Sequence, residues 1–261
     1  MSEISHHRTR VLLLGGTTEA SELARRFVGD DRFDVTLSLA GRTANPLAVP
    51  VPVRVGGFGG AEGLAAYLAS QRIDAVVDAT HPFAAQISAN AIAACHQTSV
   101  ELIALERPAW QMVAGDTWKN FGNIEVAIGA LPLQPVRVFS GLGRLALDAL
   151  SAAPQHHWVI RVIDPIAQPL GLPHATIIAA RGPFEAQDDI ALFKEHAINV
   201  VLAKNAGGAA SYSKIEAARA LGLPVYMIGR PSIPDRAIVR SVDEAWAQLG
   251  AHHASPAKRG V

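Results

Sequence analysis

The segment Val11-Leu12-Leu13-Leu14-Gly15-Gly16-Thr17-Thr18-Glu19-Ala20 decides how the chain is read. Four apolar residues in a row form a strand buried on both faces, as parallel sheets require. A glycine turn follows at once, and then a helical pattern to residue 28. Strand, glycine turn and helix is the context in which a dinucleotide phosphate is held. Glycine lets the backbone approach a phosphate, and the helix N-terminus offers free N–H groups and positive potential. Gly15, Gly16, Thr17, Thr18 and Glu19 are therefore candidate cofactor residues, the two threonines adding hydroxyl donors. The spacing departs from G-x-G-x-x-G, and a plain βα turn with a threonine cap is the simpler alternative.

Working outward, short β-branched runs alternate with helical patterns. Strands are expected at residues 35–39, 53–55, 75–78 and 101–105, with helices at 61–70 and 84–96. The pattern then restarts. Strands are expected at 136–139, 158–163, 176–180, 200–203 and 225–228, with helices at 144–152, 190–196 and 213–221. This is an α/β chain with mainly parallel sheets. A weak internal repeat divides it. Strand 101–105 runs into Arg107-Pro108, a loop and amphipathic residues 124–131. Strand 225–228 runs into Arg230-Pro231, a loop and amphipathic residues 242–249. The expected organisation is two Rossmann-like domains, 1–133 and 134–261, with the active site in the cleft between them. Which sheet each terminal strand joins stays open.

Composition bounds the function. The chain has 261 residues, 49% hydrophobic and 18% charged, with 23 Lys plus Arg against 23 Asp plus Glu. A balanced charge gives no general attraction to nucleic acid or membrane. The single cysteine, Cys95, excludes an internal disulfide and a cysteine-based metal site, and no metal is expected. No signal core and no spanning apolar run is legible, which points to the cytoplasm.

The second strand refines the cofactor. An NAD site usually places Asp or Glu near its end to hold the ribose hydroxyls. The segment Leu37-Ser38-Leu39-Ala40-Gly41-Arg42-Thr43 has no acid. Ser38, Arg42 and Thr43 instead suit a 2′-phosphate, which favours NADPH over NADH. Asp78-Ala79-Thr80-His81-Pro82 ends the fourth strand at the ligand edge of the sheet. Asp78 is placed to orient this loop, and Thr80 and His81 to face the nicotinamide. His81 reads equally as a catalytic proton donor and as a residue that packs or hydrogen-bonds within the loop.

Basic residues recur at or just past the ends of strands: Arg107, Arg161, Arg181, Lys204 and Arg230, with Arg144 after the second glycine turn. In an open α/β sheet this edge binds ligands. Arginine matches carboxylates because its planar fork binds them bidentately. The set points to a large polycarboxylate, held with Trp110. The polar loop 110–122 reads as a lid or as an ordinary surface loop, with Trp110 and Trp118 as covers of the ligand or as anchors of the loop.

The chain resembles the precorrin-6A reductase family of cobalamin (vitamin B12) biosynthesis. The residues carrying the resemblance are Gly15-Gly16-Thr17-Thr18-Glu19, Asp78-Ala79-Thr80-His81-Pro82-Phe83-Ala84, Arg107-Pro108 and Lys204-Asn205-Ala206-Gly207-Gly208. Lys214-Ile215, Ala217-Ala218 and Gly229-Arg230-Pro231 complete the set, which spans residues 10 to 249. The resemblance implies NADPH in the N-terminal half and the tetrapyrrole mainly in the C-terminal half. It implies hydride transfer to one carbon of precorrin-6A and protonation of its neighbour, giving precorrin-6B, with product hand-over to the next enzyme. The family lacks the usual glycine fingerprint. Its cobalt-free and cobalt-containing substrates are not separated by these motifs. A short-chain dehydrogenase is disfavoured, because Tyr67, Tyr212 and Tyr226 each lack a lysine four residues later. A non-catalytic NADP-binding sensor would have no use for cations at the strand ends of the second half.

Overall fold

The computed structural model describes residues 8–41, 48–166 and 171–254. It contains two six-stranded sheets in which every pairing is parallel. The first is built from β1 (Thr9–Leu14), β2 (Phe33–Leu39), β3 (Val53–Val55), β4 (Ala75–Asp78), β5 (Glu101–Leu105) and β12 (Ile238–Val239). The second is built from β6 (Trp118–Phe121), β7 (Arg137–Ser140), β8 (His157–Val162), β9 (Ala175–Ala179), β10 (Val200–Lys204) and β11 (Val225–Ile228). The orders are β12-β5-β4-β1-β2-β3 and β6-β11-β10-β7-β8-β9. The two patterns are the same, so β7 holds in its sheet the place that β1 holds in the other.

The alternation along β1 explains its two buried faces. Val11 and Leu13 pack with Ala20, Leu23 and Phe27 of α1 (Thr18–Arg26) and its C-cap, and with Val242, Ala245 and Leu249 of α8 (Val242–Ala254). Leu12 and Leu14 pack on the other face with Leu64 and Leu68 of α2 (Ala61–Gln71) and with Ala91 and Ala94 of α3 (Ala85–Thr98). In the second sheet, Phe139, Val201 and Met227 pack with Phe193 of α6 (Ala186–Glu195) and with Ile215, Ala217 and Ala218 of α7 (Ser213–Ala220).

The chain divides at 107/108 and 231/232, not at 133/134. One unit takes residues up to Arg107 and from Ser232 onward, and the other takes Pro108–Pro231. Each Arg-Pro pair therefore marks a crossing from one unit to the other. After Pro108 the chain supplies β6 and α4 (Ile124–Gly129) to the second unit, where β6 pairs with β11. After Pro231 it supplies β12 and α8 to the first, where β12 pairs with β5. The physical reason is that proline lacks an N–H and restricts the residue before it, so β5 and β11 end there. Edge pairing then decides the destination.

Two other expectations change. The helix expected over 144–152 is a 3-10 turn, Arg144–Ala146, followed by the short α5 (Leu147–Leu150). Ser151, Ala152 and Ala153 close by tight i→i−3 bonds ahead of Pro154, which disfavours a continuing helix. Loop 110–122 ends in strand β6, hydrogen-bonded along the sheet edge, so that part is not a lid. Among the described residues, no helix is long and apolar enough to cross a membrane.

Candidate functional site

In the first unit the turn after β1 is tied down on both sides. The Gly15 amide donates to Ser38 O at 3.0 Å. Gly16 has φ +123°, a conformation that side-chain-bearing residues rarely adopt, and its Cβ position is open to 4 Å. The N-cap Thr17 accepts from the Ala20 amide at 3.1 Å and donates to Ala79 O at 2.7 Å. Its hydroxyl is thus spent on linking the start of α1 to the end of β4. Thr18 Oγ1 likewise donates to Glu19 Oε2 at 3.0 Å. Neither hydroxyl is the outward donor expected from the sequence. What the turn presents is backbone and an open glycine at the N-terminal end of α1, where the helix dipole is positive. Those features fit a phosphate.

Next to this turn lies the 78–84 loop. Asp78 is buried, and its Oδ1 accepts from the Thr80 amide at 3.1 Å and the Thr80 hydroxyl at 2.6 Å. The loop is therefore oriented by Asp78. The Phe83 amide donates to His81 Nδ1 at 3.2 Å, so the neutral ring carries its proton on Nε2. Thr17, Glu19, Thr80, Pro82 and Arg107 line one small cleft at this edge. Arg107 donates to Glu19 Oε2 at 2.7 Å, with both side chains largely buried. Burial opposes the charge on Glu19, but Arg107, the residue's own amide and Thr18 outweigh it and hold its pKa below 4.5. Arg107 and Glu19 thus neutralise each other inside the first unit.

Ser38 is buried at the end of β2. Arg42 and Thr43 lie outside the described residues. The structure adds a cation that the sequence reading missed. Arg54, on β3 in register with Ser38, donates to Ser38 Oγ at 3.2 Å. A second glycine turn, Gly56-Gly57-Phe58-Gly59-Gly60, follows it, with positive φ at Gly56, Gly59 and Gly60. The signal was legible as strand, glycine-rich turn and helix, the same pattern that was recognised at Gly15.

In the second unit the cations divide into three groups. Arg144 and Arg181 are exposed. Lys204 donates to Leu142 O at 3.3 Å, and Arg230 braces the loop after β10 through Asn205 O at 3.1 Å and Ala206 O at 3.2 Å. Trp110 joins the same knot. Its amide donates to Asn205 Oδ1 at 2.7 Å and its indole donates to Gly208 O at 2.8 Å. Trp110 is therefore an anchor of its loop, buried to 9% exposure. Arg161 departs most from the expectation. Its guanidinium pairs with Asp189, which is 1% exposed and also accepts from Ser213 at 2.6 Å, and it lies over the rings of Phe139 and Phe184. The pairing was not legible along the chain, because Asp189 arrives from α6, 28 positions away. Asn205 and Lys214 were quoted as motif residues without a role. Asn205 ties Trp110, and the buried Lys214 lies 4.9 Å from the Trp110 ring centroid. Among the described residues no group of three or more His, Cys, Asp or Glu is placed to hold a metal ion.

Comparison with known proteins supplies the context for this edge. The family model described as "Precorrin-6x reductase CbiJ/CobK" matches residues 10–250. The precorrin-6A reductase of Rhodobacter capsulatus is 50% identical over 97% of this chain and 100% of its own. That of Sinorhizobium sp. is 49% identical over 96% and 95%. The cobalt-precorrin-6A reductase of Priestia megaterium is 32% identical over 90% and 95%. A solved structure titled "CobK precorrin-6A reductase" superposes with a TM-score of 0.90 at 50% identity, covering 97% of this chain and 100% of that one. The chain thus belongs to the precorrin-6x reductase family.

Proposed function

We propose that the protein reduces precorrin-6A to precorrin-6B with NADPH, the nucleotide lying in the first unit and the macrocycle in the second. The observation that carries this reading is the end-to-end match, 50% identical over all of a precorrin-6A reductase. The cobalt-free substrate is favoured because relatives named for it reach 41–50% identity, whereas those named for the cobalt form stay at 28–32%.

When bound, NADPH supplies the hydride. The chain's own residues do the rest. The Gly15-Gly16-Thr17 turn and the start of α1 seat the pyrophosphate. Asp78 fixes the loop that carries Thr80 and His81. The proton added to the macrocycle comes from His81 in its imidazolium form or from water. Lys204, Arg230, Arg144 and Arg181 anchor substrate carboxylates, so positioning supplies much of the rate. Arg161, whose guanidinium is paired with the buried Asp189, is left out of the proposed set.

The test is oxidation of NADPH by purified protein with precorrin-6A, run beside NADH and the cobalt-containing substrate. No oxidation with either nucleotide rejects the activity. A His81→Ala enzyme with normal turnover across pH assigns the proton to water.

A further inference from the structure

Arg54 is a half-buried cation without a carboxylate in reach among the described residues. Its guanidinium is nevertheless held firmly. Nη1 donates to Gly56 O at 2.6 Å and to Ser38 Oγ at 3.2 Å, and Nη2 donates to Gly57 O at 2.7 Å. One face lies 3.7 Å from the Phe58 ring centroid, with Tyr67 at 5.2 Å. A guanidinium has five N–H donors. Both Nη1 donors and one Nη2 donor are used, which leaves Nε–H and the second Nη2–H. Two such donors on one guanidinium form the fork that grips a phosphate.

The position is as informative as the geometry. Leu14 is in register with Ser38, and Ser38 with Arg54, so the phosphate turn, Ser38 and Arg54 stand on three successive strands at one level. The end of the second strand is where an open α/β sheet reads the ribose of its nucleotide. Beside Arg54 the Gly56-Gly57-Phe58-Gly59-Gly60 turn is open, because a Cβ at any of its four glycines would have no neighbour within 4 Å among the described residues. An arginine serving only to brace a turn needs no such opening.

We propose that Arg54 binds the 2′-phosphate of the nucleotide and sets its preference for NADPH over NADH, with Ser38 as a positioning residue that holds the guanidinium. This rests on the NADPH reading above. The test is calorimetric binding of 2′,5′-ADP and of 5′-AMP to wild-type, Arg54→Met and Arg54→Lys proteins, with thermal midpoints measured alongside. Arg54→Met should weaken 2′,5′-ADP by about tenfold or more and leave 5′-AMP within about twofold. Arg54→Lys should recover part of the loss, and KM for NADPH should rise with KM for NADH unchanged. Wild-type preference for 2′,5′-ADP that survives in Arg54→Met overturns the role of Arg54 alone. Wild-type protein that binds both probes equally overturns the NADPH reading, and the role with it. Equal weakening of both probes, together with a lowered thermal midpoint in both variants, shows a brace of the glycine turn and also overturns the role.

Discussion

The Thr17 hydroxyl donates to Ala79 O at 2.7 Å while accepting the Ala20 amide at 3.1 Å, so one oxygen joins the phosphate turn to the loop carrying Thr80 and His81. Thr17→Val removes both bonds at constant volume. Loss of such an N-cap costs about 1 kcal/mol, and the orphaned Ala79 carbonyl adds to it. Thr17→Val should therefore lower the urea midpoint and raise KM for NADPH, with Thr17→Ser close to wild type. Equal nucleotide affinity in all three proteins would show that the link serves stability alone.

Glu19 and Arg107 give a pH dependence of defined sign. The folded carboxyl has a pKa below 4.5, so the pair's contribution is present above that value and is lost as pH falls through the lower folded pKa. Glu19→Gln should be less stable than wild type by about 1 kcal/mol near pH 7. The gap should narrow as pH falls below the usual glutamate range and close below the depressed folded pKa. Urea unfolding of both proteins between neutral and acid pH checks this, and a gap that widens in acid contradicts it.

Arg161 and Arg181 should behave oppositely, although the sequence placed both among the substrate cations. Arg161→Met leaves Asp189 buried without its ion partner, which costs about 3–5 kcal/mol. The thermal midpoint should fall steeply. Arg181 is exposed, so Arg181→Met should keep the midpoint and raise KM for the macrocycle. Differential scanning fluorimetry beside steady-state kinetics separates the two.

Gly207 tests the knot around Trp110. Its φ is +70°, and a Cβ there would lie 2.1 Å from Pro108 O and 2.6 Å from Arg230 Nη2. Gly207→Ala has to displace backbone as well as adopt a strained conformation, a loss of more than about 1 kcal/mol. Weakened macrocycle binding with 2′,5′-ADP affinity intact is the expected result.

Much of the fold was legible because its elements are local. Strands 53–55, 75–78, 101–105 and 225–228 match β3, β4, β5 and β11, since each is a short run rich in apolar or β-branched residues, bounded by turn residues and too brief for a helix. The Gly15 turn and the Asp78 loop were legible for the same reason, as each is a contiguous motif at a strand end. The ion pair of Arg161 was not legible because its partner lies in another element, and the link between Arg54 and Ser38 exists only through strand register, although the glycine turn that follows Arg54 is a local signal.

The sequence by itself determined the α/β class, the parallel strands, the two-fold repetition and the family. Apolar periodicity, glycine placement and motif identity are properties of neighbours along the chain. Only the tertiary structure decided where Gly15-Gly16-Thr17 directs its hydroxyls, which cations are already neutralised and where the two units divide. The segments after Arg107-Pro108 and Arg230-Pro231 look alike locally. Pairing of β6 with β11 and of β12 with β5 sends each to the other unit, and edge pairing is a long-range choice that no local pattern encodes.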